Sequence, residues 1–250
     1  MMARQGVYFV SDVHLGLNLR DPADREERFV RFLRSIPADR TKALYLLGDI
    51  WDFWYEYRHV VPKGSVRVLA ALVDLVNAGV EVFFFPGNHD MWCFHYFEEL
   101  GIKVLREQPQ CAEIDGKCFC LGHGDGLGPV DRGYKFLKGV FGSRVVQALF
   151  SSLHPTIAFG LGHSWSKDSR VSHKEYVFRG KDEPLCKFAE EYSRSHAVDY
   201  FIFGHYHAHV DMQLECGARL MMTKSWIDDS PYLYFDGSSV FFGISQNIEK

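Results

Sequence analysis

EVFFFPGNHD, residues 81–90, is an apolar run that ends abruptly in polar side chains. The run from Val82 to Phe85 has the length and composition of a buried strand. Directly after it and Pro86-Gly87, an amide, an imidazole and a carboxylate follow one another at Asn88, His89 and Asp90. A solvent-exposed loop needs polar residues, but it does not need these three types of side chain together. If other strands end in the same way, the loops together indicate a functional site.

Four more apolar runs end in loops of the same kind. They are followed by these stretches: Ser11-Asp12-Val13-His14, Gly48-Asp49, Gly122-His123-Gly124-Asp125 and Gly204-His205-Tyr206-His207. Loops at the carboxyl ends of strands converge on one crevice in α/β sheets, so we expect these polar side chains to lie close together. Each stretch alone is weak evidence, but five in equivalent positions make coincidence improbable.

Helical segments alternate with the strands in the first half of the chain. Apolar residues recur at helical spacing in 25–33 and 66–76, and Gly79 occupies a C-cap position. This alternation predicts parallel βαβ units. Asp-Gly turns at 115–116 and 236–237 predict two hairpins. We therefore expect an α/β fold of two sheets packed face to face with helices outside, the second half being mostly antiparallel.

The composition excludes several classes of protein. The 250 residues, 47% of them hydrophobic, suffice for one large domain or a domain with an insertion, and a net charge of −4 does not suggest a general nucleic-acid binder. The six cysteines form no C-x-x-C pair, so a disulfide framework or structural zinc site is not indicated. No signal peptide and no apolar run of about 20 residues are apparent. We expect a cytoplasmic protein, with no protein partner indicated.

Seven side chains of the polar loops are typical metal ligands. They comprise two carboxylates, one amide and four imidazoles, with no thiolate: Asp12, His14, Asp49, Asn88, His123, His205 and His207. Mixed nitrogen and oxygen donors suit Mn²⁺, Fe or Zn²⁺, and seven ligands are too many for one four-coordinate ion. Two metals that share a carboxylate would account for the set. Such a pair can clamp a phosphoryl group and turn a bridging water into a hydroxide nucleophile.

The ordered motifs resemble those of the calcineurin-like metallophosphoesterases. Asp-x-His, Gly-Asp-x-x-Asp, Gly-Asn-His-Asp, Gly-His-Gly-Asp and Gly-His-x-His occur in this order between Asp12 and His207, which is most of the chain. The resemblance implies a four-layer αββα sandwich and a dinuclear site, most consistent with two Mn²⁺ ions. It assigns the ligands as follows: Asp12, His14 and His207 to one ion, Asn88, His123 and His205 to the other, and Asp49 to both.

The same resemblance implies catalytic roles for His89 and Asp52. His89 would lie beside the substrate phosphate and protonate the leaving oxygen or stabilise charge on the phosphoryl oxygens. Asp52, the second aspartate of Gly-Asp-x-x-Asp, would orient His89, with a capping or surface carboxylate as the alternative. For Asp90 and Asp125 we expect a role in bracing their loops.

The middle of the chain departs from the pattern of strands followed by polar loops. We predict one core domain of residues 1–125 and 196–250, with a helical cap insertion at residues 126–195. Inside the insertion, a broad apolar stripe runs from Tyr134 to Leu149 at helical spacing. The stripe is either an ordinary core-packing helix or part of a cap whose apolar face meets something other than the core.

Among subfamilies, the chain is most similar to the UDP-2,3-diacylglucosamine hydrolases of lipid A biosynthesis. The similarity lies in the segment GDIWDFW (residues 48–54), in the Gly-His-Gly-Asp loop and in a cap with a Ser/Lys/Arg-rich stretch, residues 164–170. It implies cleavage of the pyrophosphate bond of UDP-2,3-diacylglucosamine to UMP and 2,3-diacylglucosamine 1-phosphate. It also implies substrate contacts from these residues: Asn88, His89, Asp131, Tyr134, Ser166, Lys167, Arg170 and His205.

The composition of the cap fits an acylated sugar nucleotide. Such a substrate needs an apolar slot for its chains and cations for its diphosphate. The candidates for the two roles are Phe136, Val140, Phe141 and Phe150 for the slot, and Lys167, Arg170 and Lys174 for the cations. The cations could equally form a solvated helix face. Exposed apolar cap residues would also allow peripheral contact with the inner face of the membrane.

Two other functions stay open, because this chain has His89 where many members of the subfamily carry Arg. A metallophosphodiesterase or pyrophosphatase that acts on nucleotides or small phosphodiesters is the main alternative, and it predicts a cap without a continuous apolar slot. A non-catalytic binding module on the same fold is the third hypothesis, which the complete set of ligands disfavours.

Overall fold

The computed structural model describes residues 4–129, 132–171 and 177–245, without the side chains of residues 132, 134, 135, 137, 163 and 165–171. The elements follow in this order: β1 (Gly6–Val10), α1 (Pro22–Ser35), β2 (Thr41–Leu46), α2 (Val66–Asn77), β3 (Glu81–Phe84), α3 (Tyr96–Glu99), β4 (Lys103–Val104), β5 (Gln110–Ile114), β6 (Lys117–Leu121), α4 (Arg132–Gly142), α5 (Arg144–Ser151), α6 (Pro155–Val171), α7 (Pro184–Ser193), β7 (Tyr200–Phe203), β8 (Val210–Gln213), β9 (Arg219–Met222), β10 (Pro231–Phe235) and β11 (Val240–Ile244). A short 3₁₀ helix, Gly180–Asp182, precedes α7.

Two sheets lie at the centre of the molecule. The first has the order β11-β10-β1-β2-β3-β4, and its strands β1 to β4 are parallel, as predicted. The second has the order β5-β6-β7-β9-β8 and is mixed, where we expected a mostly antiparallel half. The difference arises because β7 follows β6 across a long crossover, which permits parallel pairing. Both predicted hairpins, β5–β6 and β10–β11, are confirmed, and the C-terminal hairpin extends the first sheet through antiparallel pairing of β10 with β1.

Alternate residues of each strand divide the core into three apolar layers. In β1, Val7 and Phe9 face the space between the sheets, where Phe119 of β6 lies, whereas Val10 faces α1 and α2. The outer face of the second sheet, with Phe201, packs against α7. Central strands are buried on both faces and therefore read as continuous apolar runs. The order helix, sheet, sheet, helix confirms the expected four-layer α/β sandwich.

Helix α1 supports the loop that follows β1. Its N-terminus is capped by Asp21, whose carboxylate accepts hydrogen bonds from the backbone N–H groups of Ala23 and Asp24, both at 3.0 Å. From the buried face of α1, the guanidinium of Arg25 donates to the carbonyl oxygen of His14 at 2.6 Å. The helix therefore fixes the backbone at the end of the first polar loop.

The apolar stripe in the middle of the chain forms two helices instead of one. Between α4 and α5, Ser143 has an extended backbone with φ −68° and ψ 126°. None of the residues of α5, all of which are described, is buried, and the side chains of Val145 and Leu149 are 69% and 66% exposed. Helix α5, the second half of the stripe, is therefore not a buried core helix, and the interpretation of the stripe as part of a cap stays a prediction.

Helix α7 lies inside the expected cap range, residues 126–195, but packs on the core. Its residues Leu185, Cys186 and Ala189 are buried against the outer face of the second sheet. An amphipathic helix does not reveal from its sequence which surface it covers. We propose that α7 is the outermost layer of the core and that the insertion proper consists of α4, α5 and α6.

A helix needs about 20 apolar residues to cross a bilayer. In the described part of the chain, no helix combines that length with the necessary hydropathy.

Candidate metal centre

The loops after β1 and β7 bring three of the predicted ligands to one point. The Nε2 atom of His207 lies 3.2 Å from Oδ1 of Asp12 and 3.1 Å from Nε2 of His14. One ligand atom from each of these residues lies within 4.8 Å of the other two, a spacing that one metal ion can span. Asp12 and His14 are buried and His207 is half-buried, so the group opens toward solvent on one side.

A second group adjoins the first. His123 Nε2 lies 3.3 Å from Oδ2 of Asp49 and 3.3 Å from Oδ1 of Asn88, and the ring of His205 lies 5.2 Å from that of His123, centroid to centroid. Asp49 also groups with Asp12 and His123, which puts it between the two sets of ligands. The structure thus brings all seven predicted ligands together, with one carboxylate in the place that a bridging ligand needs.

Five of the seven ligand residues have a left-handed backbone, which non-glycine residues rarely adopt. Each such residue costs on the order of 1 kcal/mol or more, and such strain is concentrated at functional sites. The five residues and their φ angles are Asp12 (55°), His14 (52°), Asp49 (53°), His205 (72°) and His207 (51°). In the loops after β1 and β7, the left-handed residues alternate with other residues, and both ligands of each loop lie in the same site.

Asp90 holds the loops after β2 and β3 together. Its buried carboxylate accepts hydrogen bonds from the backbone N–H groups of Gly87 at 2.7 Å, Ile50 at 2.8 Å, and Asp49 and Trp51 at 3.2 Å each. Four donors on one carboxylate fix both loops relative to each other. This is the bracing role that we expected for Asp90.

Gly87 is required by the close approach of these two loops. A Cβ atom on Gly87 would lie 2.2 Å from Oδ1 of Asp49 and 2.6 Å from its backbone nitrogen. Both distances are far below van der Waals contact, so no side chain fits at this position. The glycine in front of Asn88 is therefore part of the geometry that places Asp49 between the two groups.

Opposing effects act on the buried acids and imidazoles. Burial raises the pKa of the Asp49 carboxyl, but His123 and His89 outweigh it and bring the pKa well below its ordinary value. At Asp12, burial is likewise outweighed by His207, and the pKa is lowered. Burial lowers the pKa of His123, but Asp49 raises it to a net value of about 10. Two ionised carboxylates are therefore available as ligands, and His123 must release a proton before it can bind a metal.

His89 lies where the loops after β2 and β3 meet. Its Nδ1 atom donates to the backbone carbonyl oxygen of Asp52 at 3.0 Å, and its Nε2 atom lies 3.9 Å from Oδ2 of Asp49. The Asp52 carboxylate is 4.0 Å from Nδ1 of His89 and 3.8 Å from Nδ1 of His14, too far for direct hydrogen bonds. The backbone of Asp52, more than its side chain, therefore orients His89, and Asp52 is buried instead of lying on the surface.

A cavity of about 690 Å³ opens directly from this site. Asn88, His89 and Asp52 form its polar end, and the rest of its wall is largely apolar. The apolar wall is formed by the core loops and by the cap: Phe53, Trp54, Met91, Trp92, Phe141, Val146, Leu149, Phe150, Leu153 and Leu161. The metal ligands and the cap therefore share one continuous space.

Of the four residues expected to form an apolar slot, two line the cavity. Phe141 and Phe150 do so, whereas Phe136 is 75% exposed and neither it nor Val140 is part of the wall. Phe136 and Phe141 are five residues apart on one helix, which separates them by about 140° around its axis. The expectation for Phe136 and Val140 was therefore wrong, because only one face of α4 turns to the cavity.

The remaining expected substrate contacts are not described and stay predictions. Asp131 and Lys174 lie outside the described residues, and for four others the side chains are outside the description: Tyr134, Ser166, Lys167 and Arg170.

Sequence reasoning missed two contacts of the site. Arg25, which binds the carbonyl of His14, stands on the apolar face of α1, and a cation within an apolar stripe is the signal that could have indicated it. Lys138 of α4 forms an ion pair with Asp125, with 2.6 Å between Nζ and Oδ2. No pattern in the sequence connects these two residues, because their contact depends on how the cap folds back on the core.

Replacement of Gly87 by alanine tests whether the close approach of the loops is needed for metal binding. We expect Gly87→Ala to bind at least about tenfold less Mn²⁺ at subsaturating concentration, since displacing Asp49 removes more than about 1.4 kcal/mol of binding free energy. Equilibrium dialysis followed by elemental analysis measures the bound metal. Gly160→Ala is the matched control, because a Cβ on Gly160 meets no atom within 4 Å. Normal metal binding by Gly87→Ala would contradict the assigned geometry.

Comparisons with known proteins identify the family of this chain. The family model described as calcineurin-like phosphoesterase matches residues 6–209. A relative from Porphyromonas gingivalis named UDP-2,3-diacylglucosamine hydrolase is 35% identical over 98% of this chain and 100% of its own, and one of the same name from Neisseria gonorrhoeae is 28% identical over 94% and 96%. A solved structure described as an archaeal phosphodiesterase has the same fold, with a TM-score of 0.51 at 11% identity, covering 96% of this chain and 99% of its own. This chain belongs to the calcineurin-like phosphoesterase family.

Proposed function

We propose that this metal-dependent hydrolase cleaves the pyrophosphate bond of UDP-2,3-diacylglucosamine to give UMP and 2,3-diacylglucosamine 1-phosphate, a step of lipid A biosynthesis. The observation that carries the proposal is the apolar cavity that continues from the metal centre beneath the cap. Relatives that share the chain over nearly its full length bear the name of this activity. The nucleotide alternative predicts a cap without such a slot, so the cavity favours the acylated substrate.

The cavity suits a molecule that is polar at one end and apolar at the other. Asn88 and His89 lie at the polar end, where a diphosphate would meet the metal centre. Deeper in, the rings of Phe53, Trp92 and Phe150 form a continuous aromatic wall, with Trp92 and Phe150 only 4.5 Å apart, centroid to centroid. Each CH₂ group that leaves water for such a wall contributes about 0.8 kcal/mol. Acyl chains would therefore supply much of the binding free energy.

The donor set fits two divalent cations, for which we propose Mn²⁺, with Fe and Zn²⁺ also compatible. Asp12, His14 and His207 would hold one ion, and Asn88, His123 and His205 the other, with Asp49 shared. When bound, the ions supply an activated water as nucleophile and neutralise charge on the phosphoryl group. His123 is prepared for its part by its Nδ1 atom, which donates to the carbonyl of Leu47 at 2.8 Å and so turns Nε2 toward the site.

His89 is the proposed catalytic residue of the chain itself. Its bond from Nδ1 to the Asp52 carbonyl leaves Nε2 directed toward the metal centre. From there, a protonated His89 would donate to the leaving phosphate oxygen or stabilise negative charge that develops on the phosphoryl oxygens. We propose that Asp52 positions His89 through its backbone and adds negative charge beside the His14 and His89 rings. The polar end of the cavity is thus the place where the pyrophosphate bond would be cleaved.

A non-catalytic binding module is the third hypothesis and the least supported. Such a module would not need seven converging ligands on strained backbone, and the structure keeps both features. The strain of five left-handed residues would have no purpose without bound metal.

We also propose that the cap contacts a membrane surface as a peripheral element, where the acylated substrate would be collected. Each of the three cap helices exposes a large apolar side chain that is not part of the cavity wall: Phe136, Val145 and Ile157. We expect Val145→Asp combined with Ile157→Asp to weaken cosedimentation with anionic phosphatidylglycerol vesicles several-fold, because both charges oppose insertion of the apolar face. Equal vesicle binding by this variant and the native chain would contradict membrane contact through the cap.

Activity on two substrates tests the proposed reaction. We expect the Mn²⁺-loaded chain to hydrolyse UDP-2,3-diacylglucosamine with a kcat/KM at least about a hundredfold higher than that for a small bis-aryl phosphodiester, because only the former fills the cavity. Chelation should abolish both activities. Hydrolysis of the small diester alone would retain the metal chemistry and reject the lipid substrate.

Single substitutions should separate metal binding from proton transfer. His89→Ala should lower kcat by about 10²- to 10⁴-fold, the range of general acid catalysis, with metal content unchanged. Asp49→Ala, the comparison variant, should lose metal and activity together, because it removes the shared carboxylate. Elemental analysis and initial rates measure the two quantities. Full activity in His89→Ala would show that its proposed role is wrong.

A further inference from the structure

Aromatic side chains of the core hold one side of the cap by its backbone. Trp92 Nε1 donates to the carbonyl oxygen of Phe141 at 2.9 Å, and the hydroxyl of Tyr55 donates to that of Gln147 at 2.8 Å. A second hydroxyl, on Tyr57, donates to the carbonyl oxygen of Leu153 at 3.2 Å. These contacts fix the end of α4 and helix α5 along the apolar wall, away from the metal ligands.

A different kind of contact joins the cap to the metal centre. The ammonium of Lys138, on α4, lies 2.6 Å from Oδ2 of Asp125 and donates to the carbonyl oxygen of the same residue at 3.1 Å. Asp125 follows the proposed ligand His123 by two residues in the loop after β6. Lys138 precedes Phe141 of the cavity wall by three residues, so the two lie on neighbouring positions of one helix face. One ion pair therefore connects the loop that carries the proposed ligand His123 with helix α4, which forms part of the cavity wall.

Burial makes this ion pair strong. The side chain of Asp125 is only 1% exposed, while that of Lys138 is 40% exposed. A carboxylate removed from water is stabilised by a cation at hydrogen-bonding distance far more than a surface carboxylate is. Loss of the ammonium would leave the buried negative charge of Asp125 with less compensation. The position in which the cap closes over Asp125 would then be less favourable. The pair is thus a constraint on the cap and not a solvated surface contact.

We propose that Lys138 is a positioning residue that, through Asp125, sets the distance between the cap wall and the metal centre and thereby selects substrates that reach from one to the other. This inference rests on the proposed function for the identity of the substrate. A substrate with acyl chains bridges the polar end and the apolar wall and is sensitive to their separation. A small diester uses only the polar end, so its binding is not sensitive to this separation.

The expected kinetic effect is a change in KM with little change in kcat. The wall binds the acyl chains equally in the ground state and in the transition state, and uniform binding of this kind appears in KM. Lys138→Met should raise KM for UDP-2,3-diacylglucosamine about tenfold, equivalent to about 1.4 kcal/mol. Hydrolysis of a bis-aryl phosphodiester should change less than about twofold, since it does not use the cap wall.

The experiment compares the Mn²⁺-loaded native chain with Lys138→Met, Lys138→Arg and Arg144→Met, each assayed on both substrates and exposed to limited proteolysis. Lys138→Arg keeps the cation and should restore most of the native KM, and Arg144→Met removes an exposed cap cation as the matched control. Cleavage within residues 132–171 should be faster in Lys138→Met alone, because its cap is released from the core on the metal side.

Three other outcomes would contradict the proposal, and each has a different meaning. An unchanged KM and unchanged proteolysis in Lys138→Met would show that the ion pair does not position the cap. Equal losses on both substrates would place its effect at the metal ligands instead. If the native chain did not hydrolyse UDP-2,3-diacylglucosamine at all, the proposed function would fail, while slower or equal cleavage of the cap in Lys138→Met would separately refute the positioning role.

Discussion

The geometry of the site depends on the attraction between two buried carboxylates and the imidazoles around them. Asp49 lies 3.3 Å from His123 and Asp12 lies 3.2 Å from His207, in a place where neither charge is well hydrated. Such a cluster forms only if loops from both sheets approach within a few ångströms, so the backbone must accept left-handed residues and a glycine at position 87. The four-layer core supplies the rigidity that holds these strained loops in place.

Much of this arrangement could be predicted from the sequence, because the motifs follow buried strands and strands of a sheet end at one edge. The metal ligands and the role of Asp90 in holding two loops together could be predicted in this way. Pairing within the second sheet could not be predicted, because the short segments of β7, β8 and β9 do not show which strands become neighbours. The break at Ser143 was also not visible, because the apolar spacing continues through it. The pairing of Lys138 with Asp125 depends on tertiary folding alone.

We propose that the cap gives a general metal centre its selectivity. A metallophosphoesterase site acts on many phosphate esters, and fold alone does not choose among them. In this chain, α4 and α5 are held over the site by hydrogen bonds to their backbone carbonyls, and their side chains Phe141, Val146 and Phe150 close an apolar space. The same helices expose apolar residues on their outer side. In the proposed function, one insertion would provide both an inner surface for acyl chains and an outer surface for the membrane that contains them.

The proposed function requires that the cavity bind the acyl chains and present the diphosphate to the metal centre. The most direct measurement is kcat/KM for a series of UDP-2,3-diacylglucosamines whose acyl chains lengthen from about four to about ten carbons, below their aggregation limit. Because each buried CH₂ contributes about 0.8 kcal/mol, we expect kcat/KM to rise about fourfold per CH₂ until the cavity is filled. A kcat/KM that does not depend on chain length would show that the cavity does not bind the acyl chains.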